Sequence, residues 1–199
     1  KWAANGVSPS AINKYNNCSL QFYYHYIAKI RSYENVKEFI DASQVGDAIH
    51  IALKKHYPLG VLDVDKLNSK KNVILREIER EFIDNFSLPN IQSGKNYMSL
   101  QIAQKLTVDF LRLEKQLIID EASRNNVIDV LEKEKRLISY INVGGVQFKL
   151  VGQVDRVDRV GNQLRVIDYK TGKVEHKELV FKELKDVFQD NKKAKALQL

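Results

Sequence analysis

Apolar residues recur every three to four positions through most of the chain up to about residue 127, and this spacing is typical of amphipathic helices. Three segments show the pattern: residues 41–57, 66–86 and 95–121. Their apolar positions are Val45, Ile49, Ala52 and Leu53 in the first segment, Val73, Leu75, Ile78 and Phe82 in the second, and Leu100, Ala103, Leu106, Phe110, Leu113 and Leu117 in the third. We therefore predict three helices with these residues facing a core.

A further helical segment is predicted near the beginning of the chain. Ser8 is a favourable N-cap and Pro9 suits the first helical position. One or two helices follow, with an aromatic and apolar face made of Ile12, Tyr15, Leu20, Phe22, Tyr23 and Tyr26. Aromatic side chains at helical spacing can stack on bases, but they more often fill a core, and we predict a core.

From about residue 128 the pattern changes to that of strands. An apolar segment ends at Gly144-Gly145, a second runs to Val160, and a third follows Gly161-Asn162. This arrangement predicts a three-stranded antiparallel meander, followed by a polar helix over about 175–189. Helices, then a meander, then a helix indicate an α+β fold. We expect residues 1–199 to form a single domain, mainly helical over about 1–127 and with the meander and following helix over about 128–199.

The last two strands place charged residues opposite one another. A two-residue loop at Gly161-Asn162, with glycine at the first central position, predicts a type II′ turn. In that register Asp158 faces Arg165, a favourable pair, whereas Asp155 faces Asp168 with Cβ atoms about 4.5–5.5 Å apart. Lys170 lies on the same face as Asp168, because side chains alternate along a strand.

Two opposed carboxylates repel each other unless a positive charge lies between them. A divalent cation with oxygen ligands would remove the repulsion at Asp155 and Asp168, and Lys170 would assist. The alternative is a solvated hairpin whose charges splay apart, or a register shifted by a bulge. The hairpin alone indicates a metal site without establishing one.

The composition limits the function further. A net charge of +7 favours a polyanionic partner such as nucleic acid. No apolar segment approaches the ~20 residues of a membrane span, and no signal peptide is visible. The single cysteine, Cys18, excludes an internal disulfide framework, and we expect a cytoplasmic location.

Several stretches together resemble the PD-(D/E)XK nuclease superfamily, and within it the RecB-like and AddB-like nuclease domains. The stretches that carry the resemblance are "SPSAINKYNNCSLQFYYHYI", "VGDAIHIAL", "GQVDRVD", "IDYKTGK" and "ALQL". They are similar to the opening motif of that branch, its G-x-x-x-H helix, the strand with the first carboxylate, the (D/E)-x-K strand and the start of its Q-x-x-x-Y helix. The resemblance implies a restriction-endonuclease-like core, a mixed sheet with an antiparallel meander flanked by helices, with a helical N-terminal part.

The resemblance also assigns roles to individual residues. It implies that His50, Asp155, Asp168 and Lys170 are catalytic. It further implies that His50, Asp155, Asp168 and the backbone carbonyl of Tyr169 bind metal. Gln198 would contact nucleic acid. Glu132 and Glu134, on the strand before Asp155, are candidates for outer-shell groups but are more often solvated strand charges.

The implied cofactor is Mg²⁺ or Mn²⁺. Imidazole is a softer ligand than Mg²⁺ prefers, so Mn²⁺ would bind at least as well. Many relatives carry an iron–sulfur cluster whose first cysteine corresponds to Cys18, but the other three cysteines of that set are not in this sequence. Either the other three belong to a missing C-terminal part, or Cys18 is a buried small hydrophobe. Many relatives without a cluster keep a cysteine here, so we expect the second and no cluster in this chain.

The implied function is a metal-dependent DNA exonuclease domain. The chain starts without methionine and its last residues read as an unfinished helix, so we expect a fragment of a longer helicase-nuclease polypeptide acting in end resection and recombinational repair. A helicase or helicase-like module would be its partner, on the same polypeptide or another subunit. One alternative is a catalytically silent nuclease-fold module that binds DNA within a helicase complex. Another is a stand-alone CRISPR adaptation nuclease.

Overall fold

The structure is a computed structural model that describes residues 5–30, 39–85, 91 and 93–180. The helices are α1 (Pro9–Asn17), α2 (Ser19–Phe22), a π-helical turn (Tyr23–Ile27), α3 (Ala42–His56), α4 (Val64–Asn85), α5 (Gly94–Ser123) and α6 (His176–Leu179). The strands are β1 (Gly60–Val61), β2 (Ile128–Val143), β3 (Val146–Val160) and β4 (Gln163–Ile167). This helix and strand content confirms the predicted α+β class.

The strands form one antiparallel sheet in the order β1-β2-β3-β4, so the predicted three-stranded meander is present with a short extra strand at its edge. Val160 pairs with Gln163 and Asp158 with Arg165, which is the predicted register. Gly161 has a φ of 56°, and Asn162 is not among the described residues with positive φ. Positive φ at the first central position alone is what a type II′ turn requires.

The described residues belong to two compact units, which we describe separately. The larger unit lies within residues 36–135 and 154–172 and contains α3, α4, α5, β1, β4 and the adjoining parts of β2 and β3. Its core is formed mainly by aliphatic side chains, several of which are fully buried, including Ala48, Ala52, Leu67, Ile74, Ile78, Phe82 and Ala103. Burying a large apolar side chain stabilises the fold by about 1.5–3 kcal/mol, so helix packing dominates the stability of this unit.

Helix α3 is well specified by its sequence. Asp41 caps its first turn, and Gln44 returns a hydrogen bond to the Asp41 backbone, which completes a capping box. All four predicted apolar positions of this helix are buried. Lys54, Lys55 and His56 lie in the last turn, where positive charge interacts favourably with the helix dipole.

Helix α5 is confirmed in its position but faces the core differently from the prediction. Leu106 and Leu113, predicted to be buried, are 38% and 66% exposed. The buried face instead includes Thr107, Glu114 and Glu121 between its apolar residues. The sequence pattern failed here because polar side chains with hydrogen-bond partners occupy positions that an apolar pattern does not count.

The smaller unit lies within residues 1–35, 136–153 and 173–199. Ser8 caps α1 and Pro9 occupies its first turn, as predicted. Residue Val7 forms a parallel bridge to Leu150 on β3, with main-chain hydrogen bonds of 2.8 and 3.0 Å to the flanking Lys149 and Val151.

The aromatic face predicted to form a core is largely exposed, so this prediction was wrong. Tyr15, Leu20 and Tyr23 are each more than half exposed, and α2 and the π-helical turn contribute no buried residue. The physical reason is that the helical segment is interrupted twice. Cys18 has an extended backbone between α1 and α2, and a π-helical turn follows α2, so residues at α-helical intervals no longer share one face. Cys18 is also exposed rather than buried, and its thiol caps α2.

Within the predicted polar helix over 175–189 the structure forms only α6 (His176–Leu179), which ends before Val180, where the backbone is extended. Positions from 181 onward lie outside the described residues. The single-domain boundaries stay a prediction. Of the helices in the described part of the chain, none is long and apolar enough to cross a membrane.

Candidate active site

The predicted site residues in the larger unit come from three elements. His50 lies in the middle of α3, and Asp155 lies on β3 before its last pairs with β4. Asp168, Tyr169 and Lys170 follow directly after β4, whose last paired residue is Ile167. The chain therefore leaves the strand ladder at the point where the acid-x-lysine sequence begins. Gln198 lies outside the described residues.

His50, Asp155 and the backbone of Tyr169 form one hydrogen-bonded group. The Nδ1 atom of His50 is 3.2 Å from Oδ1 of Asp155, and its Nε2 donates to the Tyr169 carbonyl at 2.9 Å. The Tyr169 amide donates to Oδ2 of Asp155 at 2.5 Å. The structure therefore brings together three of the four predicted metal-binding groups, with the main chain of Tyr169 between the two side chains.

The charges of this group stabilise each other. The hydrogen bond to Asp155 raises the pKa of His50 against the opposing effect of burial, and the charge of Asp168 adds to the rise. Burial disfavours a charged Asp155, but hydrogen bonds from His50 and from the Tyr169 amide hold its pKa below the ordinary value. Carboxylate and carbonyl oxygens can only accept, so both hydrogen bonds of His50 are complete when the ring is an imidazolium.

Asp168 is placed differently from Asp155. Its Oδ2 lies 2.5 Å from the ammonium of Lys170. This oxygen is buried, yet within the described residues it accepts no hydrogen bond of acceptable geometry. A buried carboxylate oxygen without a hydrogen bond is uncommon and leaves a lone pair available to a further cation. Lys170 remains 38% exposed, so its ammonium also reaches solvent.

Gly46 explains how α3 comes close to the segment after β4. A Cβ atom at position 46 would lie 2.9 Å from the hydroxyl oxygen of Thr171, closer than such atoms approach one another. Gly46 is one helical turn before His50, on the same side of α3. Glycine at this position therefore allows the helix that carries His50 to approach the segment that carries Asp168 and Lys170.

A second charged cluster lies on the opposite face of β3. Arg156 is 0% exposed, and its guanidinium binds Glu114 through two contacts, Nη1 to Oε2 at 2.8 Å and Nη2 to Oε1 at 3.3 Å. Its Nη2 also lies 3.0 Å from Asp158, which in turn accepts two hydrogen bonds from Arg165 at 2.8 and 3.0 Å. Tyr57 donates its hydroxyl to Glu114. Every carboxylate of this cluster has a cationic partner.

Comparison with protein families gives one match. Residues 6–191 match the PD-(D/E)XK nuclease superfamily. The chain belongs to this superfamily. No curated protein matches it in sequence. The match covers the helices, the meander and the acid-x-lysine segment, and it ends before Gln198.

Members of this nuclease superfamily use divalent metal ions such as Mg²⁺. The donors here fit such an ion in chemistry: carboxylate oxygens of Asp155 and Asp168, the carbonyl of Tyr169 and a nitrogen of His50. Asp168 Oδ2, buried without a hydrogen bond, supports this fit. Among the described residues, no three His, Cys, Asp or Glu side chains alone are grouped closely enough to hold an ion. The Tyr169 carbonyl adds an oxygen donor next to His50.

The sequence reading missed the cluster beneath the nuclease site. Arg156, Glu114 and Tyr57 were not singled out, although two signals were present. Glu114 lies at the helical spacing of the buried face of α5, where a glutamate requires a partner. Arg156 directly follows Asp155, so it must point to the opposite face of β3.

The two candidate outer-shell glutamates have contacts with lysines. Glu134 lies 3.5 Å from Lys54, one turn after His50 on α3, and Glu132 pairs with Lys135. Glu134 has a φ of 53°, an uncommon backbone conformation for a residue other than glycine. Its role at the site stays a prediction.

Proposed function

We propose that this nuclease domain is a Mg²⁺- or Mn²⁺-dependent DNA exonuclease that acts in helicase-coupled end resection and recombinational repair. One observation carries the proposal: His50, Asp155 and the Tyr169 carbonyl converge within hydrogen-bonding distance, beside Asp168 and its ion-paired Lys170. A constellation of two carboxylates, a histidine and a lysine on separate elements suits phosphodiester hydrolysis.

Each residue has a part in the proposed reaction. Asp155, Asp168, His50 and the Tyr169 carbonyl would hold the ion. When bound, a divalent ion activates water and neutralises charge on phosphate oxygens. Lys170 reaches solvent next to Asp168, which supports the proposal that its ammonium orients the attacking water and stabilises negative charge that develops on the phosphate.

The substrate and partner follow from charge and from the RecB-like motifs. A net charge of +7 supports binding of a polyanion, and DNA is the substrate we propose. The helicase or helicase-like partner rests on the similarity of the quoted motifs to RecB and AddB nuclease domains. The cytoplasmic location stays part of the same proposal.

The test is cleavage of end-labelled linear DNA by the wild type in Mn²⁺ and in Mg²⁺, compared with Asp168→Asn. We expect cleavage that depends on the metal and falls by about 10²-fold or more in the variant, because a charged ligand and the partner of Lys170 are lost together. The lengths of the products report whether digestion begins at an end and from which end.

The matched control is Asp84→Asn, the same substitution at an exposed aspartate whose partner is Arg80 on α4. It should cleave like the wild type. Equal cleavage by wild type and Asp168→Asn would contradict the proposed site.

One observation favours a second function, a catalytically silent DNA-binding module in a helicase complex. Both ring nitrogens of His50 already form hydrogen bonds, one with Asp155 and one with the Tyr169 carbonyl. A metal ion can therefore bind His50 only after one ring nitrogen has lost its proton and its hydrogen bond. DNA binding by the wild type without cleavage in either metal would support this function over the exonuclease.

A further inference from the structure

Tyr169 connects the candidate active site with the charged cluster beneath it. Its amide and carbonyl contact Asp155 and His50, as described above. Its ring lies 5.2 Å from the ring of Phe110, 5.9 Å from the guanidinium carbon of Arg156 and 5.9 Å from the ring of His50, measured between centres. The orientation of the Tyr169 main chain therefore depends on what holds its ring.

Arg156 is itself held rigidly. Two contacts to Glu114 fix the plane of the guanidinium, and the ring of Tyr57 lies 4.9 Å from its central carbon. The side chain is fully buried, and its Nε has no hydrogen-bond acceptor among the described residues. These contacts fix the orientation of the guanidinium, although among the described residues they leave its Nε donor without an acceptor.

A buried ion pair of this kind is not explained by stability alone. Removing two charges from water is costly, and well-packed apolar residues of similar volume often serve the fold equally well. A role in fixing position accounts for Arg156 and Glu114 better, because planar, bidentate contacts set an orientation that aliphatic packing does not.

We propose that Arg156 is a positioning residue: its guanidinium, fixed by Glu114, holds the Tyr169 ring so that the Tyr169 amide and carbonyl stay aimed at Asp155 and His50. The inference rests on the proposed function, since the Tyr169 carbonyl is there a metal ligand. Because neighbouring residues on a strand point to opposite faces, β3 presents Asp155 to the site and Arg156 to its support.

The test replaces the cluster by apolar residues. Arg156→Met, Glu114→Leu and Tyr57→Phe are combined, so that no buried charge loses its partner within the pair; Asp158 keeps its two hydrogen bonds from Arg165. We expect a folded protein in which the Tyr169 amide exchanges its hydrogen about tenfold faster or more, and Mn²⁺ binds about 10–100-fold more weakly, as is typical when outer-shell groups are removed.

Two controls separate positioning from general loosening. The amide of Ile78, in the core on α4, should keep its protection in the triple variant. Glu81→Gln removes a different buried glutamate, one that pairs with Lys55, and should leave both the Tyr169 amide exchange and Mn²⁺ binding unchanged. Loss of protection at Ile78 in proportion to Tyr169 would show a merely structural role and overturn the proposal.

A second variant decides the case if the triple variant does not fold. Tyr169→Leu leaves Arg156 and Glu114 intact but removes the ring through which they act, together with its contact with the ring of His50. We expect faster exchange of the amide at position 169 and weaker Mn²⁺ binding. Exchange and affinity both within twofold of the wild type, in either folded variant, would overturn the proposal. A wild type that binds no Mn²⁺ would contradict the proposed function, while the exchange measurements would still judge the positioning.

Discussion

The two faces of the β3–β4 hairpin both carry buried charge, but they balance it differently. On the core face, Asp158 receives hydrogen bonds from Arg165 and lies 3.0 Å from Arg156, which also binds Glu114. Two cations and two anions are matched there. At the site, Asp155 and Asp168 share Lys170 and a titratable His50, and one oxygen of Asp168 accepts no hydrogen bond among the described residues.

This difference separates the roles of the two faces. A matched cluster needs nothing further and can hold its neighbours in one arrangement. At the site the balance depends on His50: when its ring is neutral, two carboxylates share one ammonium, and the cluster gains from binding a cation. We call the matched network around Asp158 closed and the network around Asp155 and Asp168 open. The same hairpin carries both, one on each face.

The same substitution on each face tests this difference between the two networks most directly. Asp158→Asn should lower the free energy of unfolding by about 3–5 kcal/mol, because Arg156 and Arg165 lose a buried partner. Asp168→Asn should change it by less than about 1 kcal/mol, because the lost ion pair is partly exposed and repulsion with Asp155 is relieved. Urea denaturation followed by circular dichroism measures both. Equal losses for the two variants would show that both networks are closed.

A smaller effect on stability is expected where α3 approaches Thr171, in the segment after β4. Gly46→Ala should weaken Mn²⁺ binding and lower the free energy of unfolding by up to about 2 kcal/mol. The reason is that crowding against Thr171 costs about 1–3 kcal/mol and alanine's helix propensity returns about 1 kcal/mol. Isothermal titration and urea denaturation measure the two quantities.

The matched control adds Thr171→Ala, which removes the crowding hydroxyl. The double variant should recover Mn²⁺ binding and be at least as stable as the wild type. If Thr171→Ala gives no recovery, then close approach to Thr171 is not why glycine is needed before His50.

The smallest effect concerns a closed network away from the site. Glu77 accepts hydrogen bonds from Lys55 at 2.6 Å and His56 at 3.0 Å, which lower its pKa from 4.5 to about 2. A carboxyl whose pKa is lower in the folded state contributes stability above pH 4.5, and this is lost as the pH falls towards 2. The free energy of unfolding, measured between pH 6 and pH 2, should therefore fall less steeply with acid for Glu77→Gln than for the wild type. If the free energies of unfolding of the two proteins fall in parallel, the hydrogen bonds from Lys55 and His56 to Glu77 do not stabilise the fold.

The sequence predicted those parts of the molecule that depend on local patterns. The position of α3 follows from the spacing of its apolar residues, and the turn at Gly161-Asn162 and the pairing of Asp158 with Arg165 follow from turn chemistry and period-two alternation. The predicted site residues from His50 to Lys170 came from motifs, and the structure places them near each other.

Two features escaped prediction for physical reasons. The burial of Glu114 depends on Arg156, which is 42 residues away in sequence, so no local pattern on α5 could show it. The exposure of Tyr15 and Tyr23 reflects two interruptions, the extended backbone at Cys18 and the π-helical turn that begins at Tyr23, which an assumed constant period cannot reproduce.

The order in which the site assembles follows from its sequence separations. Asp155 and the Tyr169 amide are 14 residues apart, joined by a tight hairpin, whereas His50 and Asp155 are separated by 105 residues. Short loops close at little entropic cost and quickly, and distant contacts form later. We expect the acidic half of the site to appear during folding as soon as the hairpin does, and the histidine to arrive when α3 docks, so that metal affinity is acquired in two stages.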